Sequence, residues 1–137
     1  MTTLPLVIQK AIRATLVADA GITALVPATS VLDTNARPTP SPSIILGEDQ
    51  IVDEGQKLAR DVLTVNSTLH IWQKEPGLVG VKGIAGEIAM TIRAGRAALD
   101  AGFQLIDWRV SMTRFLRDPD GETAHGVVTI ESMVRIP

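Results

Sequence analysis

Cysteine is missing from the 137-residue chain. That excludes disulfides, thiolate catalysis and cysteine zinc sites together, and it is compatible with a reducing compartment. Tyrosine is missing too, and aromatics are only 3% of residues, which argues against base-stacking platforms. Neither sign of charge dominates. The 13 basic and 15 acidic residues leave a net charge of −2, so the electrostatic footprint of a nucleic-acid binder is lacking. No apolar run approaches the roughly 18 residues of a membrane span. The basic-then-apolar order of a signal peptide is also missing from the N-terminus. What is present is ordinary globular content. A chain of this length can bury roughly 70% of its unfolded surface and needs no metal or disulfide to hold it. The expectation is one soluble intracellular domain over residues 1–137, with no membrane partner.

Along the chain, Ile8, Ile12 and Leu16 recur every four residues and predict a helix, with Thr3 as N-cap and Pro5 in its first turn. Asp19 is placed to cap a short second helix, Ile22 to Val26, which Pro27 stops. Residues 27–43 then change character. Pro38, Pro40 and Pro42 alternate with small polar residues, which predicts an extended loop or arm. Ser43 to Gly47 reads as a short strand and residues 48–60 as a second, acidic loop. Val62 to Gln73 alternates, with Leu63, Val65, Leu69 and Ile71 on one face. A helix with the stripe Val81, Ile84, Ile88, Ile92 and Leu99 follows, closed by Ala101-Gly102. Two further strands, Phe103 to Arg117 and Thr123 to Ile136, complete the order α-α-β-β-α-β-β. The fold class expected is α+β: an antiparallel four-stranded sheet with helices packed on one face.

The corner Asp118, Pro119, Asp120, Gly121 invites a metal reading, but the spacing refuses it. Setting Gly121 at position 6 of an EF-hand loop puts Leu116 at position 1 and Val127 at position 12, and neither can ligate. Parity argues for a turn. Ile106, Trp108, Val110, Met112 and Leu116 share a face before the corner, and Val128, Ile130, Val134 and Ile136 share one after it. These faces coincide only if opposed residue numbers have an even sum. A three-residue loop pairing Asp118 with Glu122 satisfies that rule. It sets Val110 against Ile130, Met112 against Val128, Arg109 against Glu131 and Phe115 against His125.

No motif for chemistry emerges. Gly77, Gly80, Gly83 and Gly86 do not make a nucleotide-binding turn. They read as a weak helix start, or as a place for close approach by a neighbouring subunit. His70 and His125 both fall on outward strand faces, without a nucleophile elbow. They read as solvated or interface histidines. No cofactor, metal or catalytic residue is expected. The outward sheet face carries Trp72, Leu105, Phe115, Val127 and Met133, a patch that the arm or another subunit would cover. Glu48, Asp49, Asp53 and Glu54 read as a solvated loop, or as the lining of a lumen if the protein is a ring.

Several pieces in order carry a resemblance: ATLVADAGITALVP, PSIILGED, LTVNSTLHIWQKEPG, GIAGEIAMTIRAGRAALD and FLRDPDGETAHGVVTIESMVR. With them the chain resembles the tail-completion or tail-terminator proteins of long-tailed phages and gene transfer agents. The resemblance covers nearly the whole chain. It implies a structural virion protein, not an enzyme, at the head-proximal end of the tail and assembled in the host cytoplasm. It implies a hexameric ring that caps the tail tube, ends its polymerisation and offers the head-tail joining surface. The implied partners are further copies of itself, the tail tube protein and a head-completion or connector protein, with DNA only passing through the lumen. A head-side adaptor or minor tail component is the alternative; a small ligand-binding domain or enzyme is a more distant one.

Overall fold

A computed structural model describes residues 3–33, 40–55 and 60–137. In chain order the elements are α1 (Leu4–Ala18), α2 (Ala20–Thr23), β1 (Val31–Leu32), β2 (Ser43–Val52), β3 (Val62–Lys74), α3 (Val79–Ala94), β4 (Gln104–Arg117) and β5 (Thr123–Arg135). Among the described residues the sheet has five strands in the order β1-β2-β3-β5-β4, all antiparallel pairs except β1 with β2. The α+β expectation therefore holds, but a four-stranded sheet is corrected to five strands. Val31 and Leu32 form the extra strand inside the stretch expected to be loop, pairing parallel with Ile44 and Ile45. Two residues are too few for alternation to register. Arg13 of α1 fixes this strand by donating to the carbonyls of Val31 and Ala28 at 3.1 and 3.3 Å.

The helices cover one face. Leu4, Ile8, Ile12 and Leu16 of α1 and Val81, Ile84, Ile88 and Ile92 of α3 pack on Val65, Leu69, Ile71, Val128, Ile130 and Val134 of the sheet. Asp19 caps as expected, its carboxylate accepting from the Ile22 N–H at 2.9 Å, but the helix it opens begins at Ala20 and ends at Thr23. The third helix ends at Ala94, short of Leu99, where Gly95 turns fully extended. The Gly95 carbonyl instead accepts from Trp108 Nε1 at 2.7 Å, anchoring the connection to β4. Ala101 and Gly102, both at positive φ, make the turn into β4 rather than the helix end.

The hairpin of β4 and β5 departs from the parity prediction in an instructive way. Val110 does face Ile130, and Arg109 does face Glu131. Nearer the corner, however, Met112 faces Thr129, Phe115 faces Gly126 and Leu116 faces His125. The loop closes at Asp118 and Thr123 rather than at Glu122, with the Asp118 N–H bonded to the Thr123 carbonyl at 2.9 Å. Asp120 stabilises this longer corner. Its carboxylate accepts from the N–H groups of Glu122 and Thr123 at 2.8 and 2.9 Å and from the Thr123 hydroxyl at 2.7 Å. Gly121 supplies the left-handed step, φ +73°. The odd register this creates is repaired by a bulge between Val110 and Met112.

Candidate functional site

Two bulges in β4, at Ile106 and at Ser111, decide which side chains reach the open face of the sheet. Each inserts one residue and reverses the facing beyond it. Leu105 and Phe115 were expected outward; both instead pack on the helix side, against the core. Lys82 of α3 lies 5.8 Å over the Phe115 ring. Conversely Met112 and Leu116, expected inward, stand on the open face, 57% and 37% exposed. Trp72, Val127 and Met133 stay on that face, as read from the alternation of β3 and β5. Exposed apolar residues also lie on the outer side of α3, where Val79 and Met90 flank Gly83 and Gly86. A Cβ at either of these two glycines would meet nothing.

A connected polar cluster lies on the open face beside Trp72. The sheet sets His70 of β3 next to Val127 and sets Trp72 opposite His125 of β5. The Trp72 and His125 rings stack at 3.8 Å, nearly parallel. His125 Nε2 lies 2.9 Å from His70 Nδ1, and His70 Nε2 lies 3.3 Å from both Glu48 carboxylate oxygens. Glu48 reaches there because β2 bulges between Leu46 and Asp49. Gly47 permits the bulge, since a Cβ there would meet His70 Cδ2 at 2.8 Å. Asp33, Ile45, Leu46, Gly47 and Glu48 join the three rings around an open cleft of about 460 Å³. Burial, then the neighbouring His70, pushes the His125 imidazole below its ordinary value. Backbone hydrogen bonding and the histidines hold the Glu48 carboxyl down.

This chain of Glu48, His70 and His125 was not read from the sequence. Each histidine was placed on the right face, but their meeting depends on the β3–β5 register, and Glu48 depends on the bulge. The register was only partly within reach: the alternation of β3 and β5 demands an odd sum of opposed residue numbers, which sets Trp72 opposite His125 in one register and opposite Val127 or Thr123 in others. The chain ends on a stacked indole, not on a hydroxyl or thiol. Among the described residues, no group of three or more His, Asp or Glu side chains is arranged to hold a metal ion. No helix among them is long and apolar enough to cross a membrane.

The acidic stretch is only partly a loop. Glu48 to Val52 continue β2, in register with β3 to Thr64. Asp53 accepts from the Gly55 N–H at 2.8 Å and lies 3.7 Å from Arg60. Asp49 stands opposite Ser67, and Glu54 follows Asp53 on the exposed surface. In the proline-rich arm, Pro40 and Pro42 flank Ser41, whose hydroxyl accepts from the Lys74 N–H at 2.9 Å. Pro38 lies outside the described residues.

The model of a family described as "Tail completion protein gp17" matches residues 10–135. The chain belongs to this tail completion family. It is thus a structural protein of phage-type tails and a component of the virion. Among solved structures, a chain from the "Virion of native gene transfer agent (GTA) particle" is similar in fold. Its TM-score is 0.84 at 18% identity, over 98% of this chain and 99% of that one. The structure of bacteriophage SPP1 gp17 protein is also similar, with a TM-score of 0.58 at 17% identity over 94% of this chain and 88% of that one. No curated protein matches. At such identity the two structures speak for the fold of the tail completion protein, and the family match speaks for its class.

Proposed function

We propose that this tail completion protein is a tail terminator. Residues 1–137 act as one ring-forming domain, and its copies assemble into a hexameric ring on the last ring of the tail tube. The ring ends tube polymerisation and presents the surface that receives the filled head. The observation that carries the reading is the family match over residues 10–135. The open sheet face supports it, because Trp72, Met112, Leu116 and Met133 offer apolar contact area of the kind that subunit surfaces use. The outer face of α3, smooth at Gly83 and Gly86, is a second surface suited to close approach.

The partners are further copies of the chain, the tail tube protein below and a head-completion or connector protein above. DNA passes through the lumen without specific binding, as the net charge of −2 favours. The arm at 27–43 and the segment at 48–60 make contacts between rings. The protein acts as a structural component rather than an enzyme, as membership of the tail completion family supports. Electron microscopy of particles from cells lacking this gene tests the reading. Overlong tails, or finished tails detached from filled heads, are the expected outcome. Joined particles of normal length would overturn it and leave an accessory or enzymatic role. Deleting the arm without effect on ring formation and joining would remove the arm from the contacts.

A further inference from the structure

Glu48, His70 and His125 belong to three adjacent strands, and their hydrogen bonds can be ordered only one way while both imidazoles are neutral. A carboxylate accepts and never donates. His70 Nε2, at 3.3 Å from the Glu48 oxygens, must therefore carry the hydrogen. His70 Nδ1 is then an acceptor, and the 2.9 Å contact requires His125 Nε2–H to donate to it. One proton added to the pair can be accommodated by a change of tautomer in the other ring. A second cannot: two imidazolium rings have donors only, and the 2.9 Å contact becomes a repulsion between like charges.

The contact matters mechanically because of what rests on it. The His70 ring lies beneath the bulge of β2, against Gly47, and its far nitrogen holds Glu48. Among the described residues β1 pairs with Ile44 and Ile45 alone, and beyond the bulge β2 has β3 as its sole neighbour in the sheet. The outer half of β2, through Val52, is therefore the most weakly held part of that strand.

We propose that Glu48, His70 and His125 form a proton-operated latch, which fixes the bulge and outer half of β2 on the sheet at neutral pH and releases them in mild acid. The charged groups around the pair set its balance. Glu48 from β2 and Asp118 at the hairpin favour a proton, while Arg114 from β4 and a charged His70 oppose it. Asp33 lines the far side of the cleft, and Lys74 lies further along the same face of β3. Burial is the largest influence on His125 and also opposes the proton. The unfolded chain therefore binds this proton more readily than the folded one. The latch is complete above pH 6.5, the ordinary value for the imidazole, and is lost as pH falls below it. Nothing in this inference depends on the tail-terminator reading.

Two measurements on the full chain test it. Nitrogen shifts of the imidazoles at about pH 8 should place the hydrogen on Nε2 of both rings. The opposite tautomer on either ring, or averaged shifts, would overturn the proposal. Hydrogen exchange should then show protection of the Glu48 to Val52 amides falling about tenfold between about pH 8 and about pH 5, after correction for intrinsic rates. The Val128 to Ile130 amides, in the middle of the sheet, should keep theirs. Equal loss at both places would mean general acid unfolding, and no loss would mean no latch; either result ends the idea. The variant His125→Gln keeps a donor toward His70 Nδ1 but does not titrate, so its protection should hold through the acid range. If His125→Gln does not fold, Glu48→Gln serves: the neutral amide oxygen still accepts from His70, and protection at about pH 8 should match the wild type. Loss of protection there would count against the assigned hydrogen-bond order.

Discussion

At the scale of single residues, two positions concentrate the local constraints. Trp108 is 5% exposed, and its indole N–H satisfies the Gly95 carbonyl at 2.7 Å. Trp108→Phe keeps a ring in the core but leaves that carbonyl without its donor. A loss of about 1 kcal/mol is expected in urea unfolding, and Trp108→Ala should lose about 3–5 kcal/mol. Gly121 sits at φ +73° with open space around it, so Gly121→Ala is opposed by backbone strain alone, about 1 kcal/mol. Beside it, the Thr123 hydroxyl and then the Glu122 N–H hold the Asp120 carboxyl below its ordinary value of 3.8. The corner's contribution is therefore present above that pH and fades as pH falls below it. Asp120→Asn should show a weaker loss of thermal stability on acidification than the parent chain.

At the scale of elements, α3 carries two interior glycines that its own stability does not call for. Gly83 and Gly86 lie in its interior with nothing near their missing side chains. Gly86→Ala should raise the stability of the isolated chain by about 1 kcal/mol. If the smooth face receives a neighbour, the same change should weaken assembly, read by light scattering. The elements also show what could be read from sequence and what could not. Helix α1, the alternation of β3 and the Asp19 cap follow from periodicity and capping chemistry, and all were expected. Val110 opposite Ile130 was expected as well, because a buried face enforces parity. Met112, Phe115 and Leu116 were assigned the wrong faces, because a bulge adds one residue with no mark in composition. Leu105 was misplaced for the same reason at the second bulge. The polar cluster stayed hidden because its members lie on three strands, and only pairing brings them together.

At the scale of the whole molecule, the pairing of β1 with β2 has a consequence for the chain between them. Val31 and Ile44 are held side by side, and the Ser41 hydroxyl ties the returning strand to Lys74. The chain leaves the sheet after Leu32 and returns at Ser43, with Val31 and Ile44 paired as neighbours across the sheet. Closing such a ring of chain grows in cost with the logarithm of its length, about 0.6 kcal/mol for each doubling. A Gly/Ser tract inserted after the exposed Asp33 should lower the melting temperature of the fold only slightly, as calorimetry would show. Length can therefore change between these two anchor points at a cost that grows only logarithmically, while Val31 and Ile44 stay paired.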